Sequence, residues 1–503
     1  MTIVDQVVLL VYLVGIVLFG CYFSRKNTDS QKFMDAGGSL PGWVVGLSLF
    51  GTYLSSISFL ANPGKTYRPA ETPDDPGGNW NPFVFSLSLP IAAWIACKWF
   101  VPFYRKTQSV SAYSHLGTRY GTWAKNYVIV CYILTQTVRA GAVLLLVAMA
   151  VNSITGYSIV TLIIGLGIAV IVYTLIGGIE AVIWTDVIQS IVLTIGIFVA
   201  IGFILAGMPQ GPKQVFEIAL ENQKFSLGEF SGSLGEPTFW VILVYGLVIN
   251  LQNFGIDQSY VQRYATARDE EAAKKSVWLA CWLYLPISAL LFFVGTALFS
   301  FYEAQPELLE SGVKSDQIFA YFISTRLPVG FVGLMIAAIM AAAMSSVDSS
   351  LNSCATLICK DIAPQFNDGQ IRDSKQVERR AKWILLSSTI VIGLISVGVA
   401  VFLNGTESIL DAWWKLAGIF SGGMLGLFLL GMLVQQSRSI HAMVGVLAGL
   451  LLIIWMTASP LFLDEGPLRY PWHANLIVVL GTATILLIGF LATQLMPDSK
   501  GAK

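Results

Sequence analysis

The chain has 503 residues, of which 55% are hydrophobic and only 12% charged, and its mean hydropathy is +0.69. About a quarter of the residues of a soluble domain are charged, so this composition excludes a soluble enzyme, a disordered chain and a nucleic-acid binder. Lys+Arg and Asp+Glu number 30 each, so net charge attracts no polyanionic partner. The six cysteines (Cys21, Cys97, Cys131, Cys281, Cys354, Cys359) lie in or beside apolar runs and form no CxxC pair. They imply neither a zinc site nor a disulfide framework.

A helix that crosses a bilayer needs about 20 mostly apolar residues. That criterion predicts an all-α polytopic membrane protein of about 13 transmembrane helices. The segments are 3–23, 41–62, 82–104, 123–154, 157–177, 182–206, 237–255, 276–301, 327–359, 382–403, 409–433, 439–460 and 472–495. The first lacks a basic leader and carries Asp5 as its first charge, so it is expected to stay as a span. With the N-terminus outside, 20 of the 30 Lys and Arg fall on the cytoplasmic side, 7 outside and 3 (Lys98, Arg139, Lys415) within spans. Positive charge favours the cytoplasm, so a cell-membrane protein with N-terminus out and C-terminus in is expected. Lys98 and Lys415 lie close enough to span ends to snorkel. The long external loops are 207–236 and 302–326, the latter with a candidate surface helix at 315–322; loop 360–381 is charged and cytoplasmic.

Three segments carry unusual polar groups. Segment two contains Gly46, Gly51, Ser55, Ser56, Ser58 and Asn62-Pro63. It reads either as an unwound helix whose freed carbonyls bind a cation or as a Gly/Ser-rich helix packed closely on a neighbour. Segment seven gathers Asn250, Gln252 and Asn253 between Gly246 and Gly255, which suits a polar cavity or interhelical hydrogen bonds. Segment nine places Ser345, Asp348, Ser349 and Asn352 on one helical face by their i, i+3, i+4 spacing. Hard cations take oxygen ligands, and a carboxylate within a span marks function by default. The plain alternative is a polar seam with Asp348 paired to a base.

Asp186 stands one turn into segment six, where it either serves a helix N-terminus or faces segment nine. Arg139 lies near the middle of segment four, too deep to snorkel to either surface comfortably. It needs a partner: Asp348 or Asp186 as a structural ion pair, or the carboxylate of a ligand, which suits the guanidinium fork. His115, His441 and His473 sit at loops or span ends and carry no motif.

Five stretches together point to a family: FMDAGGSLPG (33–42), SLFGTYLSSISF (48–59), GGIEAVIWTDVIQ (177–189), VQRY (261–264) and IMAAAMSSVDSSLNS (339–353). From about residue 5 to 435 the chain resembles the sodium/solute symporter family, and within it the bacterial sodium/sialic-acid symporters. The resemblance implies a LeuT-type core of two inverted five-helix repeats, opened by broken segments two and seven and running over segments two to eleven. The chain then divides into a leading helix and loop (1–40), the core region (41–460) and a last helix and tail (461–503). The resemblance implies a principal sodium site at Gly51, Leu54, Ala342, Ser345 and Ser346, with Gly51 where Ala is common. It implies a second cation site at Asp186, Ser345, Asp348 and Ser349, with Asp348 replacing a Ser, so that sodium or a proton could bind there. It sets Ser55 and Ser58 on the substrate side and Arg139 against a substrate carboxylate. Tyr53 stands where a smaller hydroxyl residue is expected.

The expected function is sodium-coupled import of a small organic solute, a sialic acid or related sugar acid. A neutral sugar or polyol held by Asn250, Gln252 and Asn253 is the alternative. A cation channel is the competitor from another class, but the chain has no TVGYG filter, and without HExxH or a paired-Asp motif it is not expected to be an enzyme. The partners expected are the solute, sodium and the bilayer, with no nucleic acid and no protein partner implied.

Overall fold

Backbone N–H and C=O groups in lipid must be satisfied within the chain, and the helix does this locally. The computed structural model is accordingly helical, with an isolated bridge between Leu40 and Ala267. The structure describes all residues except 1, 25–28, 71, 73–74, 76, 108, 367–373, 406–417, 419, 464–465 and 497–503. Lys415, the first part of segment eleven, part of loop 360–381 and the C-terminal tail therefore lie outside the described residues.

The main helices in chain order are α1 (Ile3–Ser24), α2 (Gly42–Tyr53), α3 (Ser56–Tyr67), α4 (Asn81–Thr107), α5 (Thr122–Thr155), α6 (Ile159–Ala206), α7 (Lys213–Glu221) and α8 (Phe239–Ile256). There follow α9 (Gln258–Thr266), α10 (Glu270–Ala304), α11 (Ile318–Arg326), α12 (Phe331–Leu357), α13 (Ser374–Leu403), α14 (Met424–Leu433), α15 (Ser439–Phe462) and α16 (Leu476–Leu495). Among the described residues, 10 helices are long and apolar enough to cross a membrane, or 11 if the bent pair α2 and α3 counts as one span. The expected count of about 13 is not reached by this measure. Ile159–Val172 and Met424–Leu433, in expected segments five and eleven, are apolar but shorter. Segments five and six join through a kink at Gly178, whose φ of 57° and ψ of −176° suit only glycine.

Both expected helix breaks occur, one of them displaced. Segment two breaks at Leu54–Ser55, where α2 and α3 meet at 52°. Segment seven does not break among its amides and glycines: α8 runs unbroken to Ile256, and the chain turns at Asp257 before α9. Asp257 is extended, and its side chain caps α9 by accepting from the Ser259 N–H. The region expected as a surface helix at 315–322 is α11 in part, but Ile318, Phe319, Ala320, Phe322 and Ile323 are buried, so it is a packed element.

Helix α12 is the axis of the molecule. Every residue from Met335 to Leu357 is buried, and α1, α5, α6 and α13 pack around it. Helix α10 lies along both halves of the first broken helix. Its closest approach is at Gly295, where a methyl group would sit 2.1 Å from the Pro63 carbonyl oxygen and 2.1 Å from Thr66 Oγ1. Lys224, counted from the sequence as an external loop cation, is only 2% exposed. Its ammonium donates to the carbonyls of Thr66 (3.4 Å), Tyr67 (3.5 Å) and Arg68 (2.9 Å) at the C-terminal end of α3. Burial pushes its pKa down to about 8.

The Gly295 contact makes a paired prediction. Gly295→Ala should lower the melting temperature of the purified protein, by roughly the 1–3 kcal/mol of an overpacked core, because the backbone carbonyl it meets cannot move aside. Gly398→Ala, at a helical position with nothing within 4 Å, should be neutral or stabilising by up to about 1 kcal/mol. Equal melting temperatures for the two variants would contradict the close approach.

Candidate substrate and cation sites

Two polar regions lie on either side of the first helix break. The inner one is a cluster of charged and hydroxyl groups in the middle of the helical bundle. Asp186 of α6 is 0% exposed, and its carboxylate accepts from Ser345 Oγ (2.5 Å), Ser48 Oγ (2.5 Å) and Arg263 Nη2 (2.9 Å). Arg263 of α9 is also 0% exposed; Nη2 donates to Ser349 Oγ at 2.7 Å, Nε to Ser48 Oγ at 2.7 Å and Nη1 to the Ser259 carbonyl at 2.8 Å. Ser349 Oγ lies 3.4 Å from Asp348 Oδ1 and 3.4 Å from Thr52 Oγ1. Four helices (α2, α6, α9, α12) thus converge on one carboxylate–guanidinium pair.

This geometry corrects two expectations. Arg263 was counted as a cytoplasmic loop charge but belongs to neither surface. Sequence reasoning missed it because α9 is short and the polar run 257–264 reads as a loop; its signal is that Arg263 and Ser259 share a face at i, i+4. The structural ion pair considered for Arg139 with Asp186 does not form, since Asp186 is held by Arg263. Among the described residues no carboxylate lies within ion-pair distance of Arg139. Of the residues expected at a second cation site, Asp186 and Ser345 are bonded directly, Ser349 reaches Asp186 through Arg263, and Asp348 meets Ser349; Asn352 continues the same face by accepting from Gln262 at 2.9 Å.

Of the residues expected for the principal sodium site, Gly51 and Ser345 are brought together, and Leu54 lies at the helix break. Gly51 faces Ser345: a methyl group at Gly51 would lie 3.3 Å from Ser345 Oγ and 2.7 Å from Ser190 Oγ. Ser190 therefore occupies space that an alanine side chain would need, which accounts for glycine at this position. Leu54 ends α2 with non-helical torsions (φ −85°, ψ 86°). Ser346 Oγ donates back to the Ala342 carbonyl at 3.0 Å.

On the other side of the break lies a cavity of about 1080 Å³, lined by Tyr53, Ser55, Ser58, Arg139, Gln252 and Asn253 among others. Arg139 Nη2 donates to the Thr52 carbonyl at 3.1 Å, one of the groups released by the end of α2. Asn250 does not line the cavity. Its Oδ1 accepts from the Tyr53 hydroxyl, and its Nδ2 donates to the Phe85 carbonyl (3.2 Å) and Ser88 Oγ (2.9 Å), so its hydrogen-bonding capacity is spent in the wall. Tyr53 packs edge-on against Tyr284 at 4.3 Å between ring centres.

The cavity also contains residues not singled out from the sequence. Asp257, at the second helix break, accepts from Tyr132 Oη (3.0 Å), Gln136 Nε2 (2.9 Å) and Ser259 Oγ (2.6 Å). Tyr260, Tyr284 and Gln136 share the lining. Asp257 could have been found as an N-cap acid directly after the Gly255-Ile256 end of an apolar run. His473 also lines the cavity, and burial pushes its pKa below the usual histidine value.

The sodium:solute symporter family model matches residues 33–449. The chain belongs to the sodium:solute symporter family. It is 31% identical to the sodium/sialic acid symporter NanT of Aliivibrio fischeri, over 98% of this chain and 94% of that protein. It is 31% identical to the sodium/sialic acid symporter SiaT of Proteus mirabilis, over 99% and 96%. A solved structure of a substrate-bound, outward-open Na⁺-coupled sialic acid symporter superposes with a TM-score of 0.86 at 27% identity, covering 99% of each chain. The symporter is thus a multi-pass, sodium-coupled membrane transporter with the LeuT-type inverted-repeat core, not an enzyme or a channel.

The central ion pair has a measurable consequence. Arg263→Gln leaves the buried Asp186 carboxylate without its cation and should cost about 3–5 kcal/mol of stability. Asp186→Asn added to it should recover most of that loss. Melting temperatures of the two single variants and the double form the cycle; strictly additive losses would show that the pair is not coupled.

Proposed function

We propose that the symporter imports a sialic acid or closely related sugar acid, driven by the inward sodium gradient across the cell membrane. In this reading the N-terminus is outside and the C-terminus cytoplasmic, with residues 1–40 leading, 41–460 forming the core region and 461–503 closing the chain. The first sodium is held by carbonyls of Gly51, Leu54 and Ala342 with the hydroxyls of Ser345 and Ser346. A second cation is held by Asp186, Asp348, Ser345 and Ser349, with Arg263 contributing a fixed positive charge. Sodium at the break stiffens the junction of α2 and α3, and that junction also forms the wall of the substrate cavity. Binding of ion and solute are then linked through one element, each making the other more favourable.

The observation that carries the substrate assignment is Arg139. Its guanidinium lines the cavity, has no carboxylate partner among the described residues, and lies across the break from the N-terminus of α3. A half-helix N-terminus and a guanidinium fork both favour an anion. Ser55 and Ser58 offer hydroxyls on the same side, and Gln252 and Asn253 offer amides suited to a polyhydroxylated body. The similarity to NanT and SiaT supports the same class of substrate.

Two measurements test this reading. In proteoliposomes, uptake of a sialic acid should require an inward sodium gradient. Arg139→Lys should lose most substrate affinity and Arg139→Ala nearly all of it, since Lys cannot make two parallel bonds. Equal affinity of the wild type for the acid and its neutral amide would reject the carboxylate role and favour a neutral sugar. Separately, Asp348→Asn should lower the charge moved per solute if Asp348 holds the second cation. An unchanged ratio would leave one coupled sodium and a structural role for Asp348.

A further inference from the structure

The substrate cavity carries a second charge besides Arg139. Asp257, at the turn between α8 and α9, is 8% exposed and lines the cavity. Its two oxygens are not equally occupied. Oδ1 accepts from the Ser259 hydroxyl (2.6 Å), the Ser259 N–H (2.8 Å) and the Tyr132 hydroxyl (3.0 Å). Among the described residues, Oδ2 accepts from Gln136 Nε2 alone, at 2.9 Å. No Lys, Arg or His among the described residues stands within ion-pair distance of either oxygen.

A carboxylate oxygen offers about two acceptor sites, so the wall fills Oδ1 and leaves capacity on Oδ2. That capacity is held as an acceptor. The Gln136 amide is oriented from its far end, where Oε1 accepts from Ser350 Oγ of α12 at 2.8 Å, and this turns Nε2 toward Asp257. A buried carboxylate without a base is costly unless further donors reach it. The donor that completes Oδ2 comes from whatever fills the cavity. Gln136, which holds Asp257, and Arg139 are three residues apart on α5 and share a face. The cavity thus presents a cation and an open acceptor about one helical turn apart along α5.

We propose that Asp257 binds a hydroxyl of the transported sugar acid through Oδ2, so that the solute is gripped at two poles, its carboxylate by Arg139 and a hydroxyl by Asp257. The inference rests on the reading of Arg139 as the carboxylate anchor and adds what discriminates among acids. A monocarboxylate without hydroxyls fills the first pole and leaves the second unpaired, and a site built to hydrogen-bond a hydroxyl rejects such a ligand strongly. A polyhydroxylated acid satisfies both poles. An ammonium would also meet Oδ2, but the other lining groups, Ser55, Ser58, Gln252 and Asn253, are neutral hydroxyls and amides suited to a sugar. Asp257 caps α9 and Arg139 holds the Thr52 carbonyl at the end of α2, so a solute held at both poles touches both helix breaks at once.

The test is a cycle between protein and ligand, read by isothermal titration of the full-length purified protein in saturating sodium. The ligands are a sialic acid, its single-deoxy analogues, each lacking one hydroxyl, and its neutral amide. In the wild type one deoxy analogue should bind about ten- to hundredfold more weakly than the parent. Equal wild-type affinity for the parent and every deoxy analogue overturns the proposal without any variant. Asp257→Ser keeps a helix-capping hydroxyl and removes Oδ2. In it the parent should weaken by a like factor, and the same analogue should bind no worse than the parent. Asp257→Asn, a second capping residue, should lose the same discrimination, while both variants keep the preference for acid over amide that Arg139 confers. A structural role predicts another pattern: both variants weaken every ligand by one common factor, and the deoxy analogue keeps its wild-type penalty. That pattern overturns the proposal and leaves Arg139 and the sugar acid in place. A wild type that binds acid and amide alike, or binds no sugar acid, rejects the reading of Arg139 and this proposal with it.

Discussion

The constraint on which the structure turns is the burial of a full carboxylate and a full guanidinium in the middle of an apolar bundle. Neither ion could remain charged there alone, because desolvation costs several kcal/mol or more per ion. Asp186 and Arg263 offset that cost for each other at 2.9 Å, and three hydroxyls and a backbone carbonyl take up further hydrogen-bonding capacity. The requirement fixes more than one pair of side chains. Helices α2, α6, α9 and α12 must meet at one point in one register, or a charge is stranded. A buried pair is weak evidence for net stability but a strong constraint on geometry, and geometry is what a coupled transporter must preserve through its cycle.

The two helix breaks follow from the same economy of polar groups. Breaking a helix in lipid exposes carbonyls at one end and N–H groups at the other, which is tolerable only where protein or ligand meets them. At the first break the Thr52 carbonyl is met by Arg139, while Gly51 faces the Ser345 hydroxyl of α12. At the second, Asp257 caps α9 and is itself held by Tyr132 and Gln136 of α5. The bridge between Leu40 and Ala267 joins the chain just before α2 to the chain just after α9, so the two broken elements are also linked through their backbones.

Much of this was legible in the sequence because the bilayer makes composition informative. Apolar length marked most of the spans, and polar groups inside them were rare enough to stand out: the glycines and serines of 46–58, Asp186, Arg139 and the 345–352 face. What remained hidden depended on distance rather than pattern. Arg263 lies in a polar stretch that hydropathy assigns to a loop; only the fold carries that stretch inside and opposite Asp186. Asn250 looked equivalent to Gln252 and Asn253, yet it lies in the wall because it faces Tyr53 and Ser88. The second break was sought at glycines, the residues that permit it, whereas it lies at Asp257, the residue that caps the helix resuming after it.

The cavity and the ion cluster are connected by contacts that can be followed atom by atom. Arg139 in the cavity holds the Thr52 carbonyl; the Thr52 hydroxyl meets Ser349; Ser349 accepts from Arg263, which holds Asp186. A second route runs from Asp257 through Gln136 to Ser350 of α12, one residue from Ser349. A third is shorter still, since Ser259 donates to Asp257 through its hydroxyl and accepts from Arg263 through its carbonyl. Contiguity alone does not establish coupling. Several of the intermediates, Thr52, Asp257 and Ser259 among them, stand at the ends of broken helices. In the proposed reading, a cation at the C-terminal end of α2 and a solute bridging Arg139 to the N-terminal end of α3 would act on opposite sides of a single two-residue hinge. In that reading neither would fix the hinge angle without altering the geometry offered to the other, and this mutual dependence would couple a downhill ion to an uphill solute.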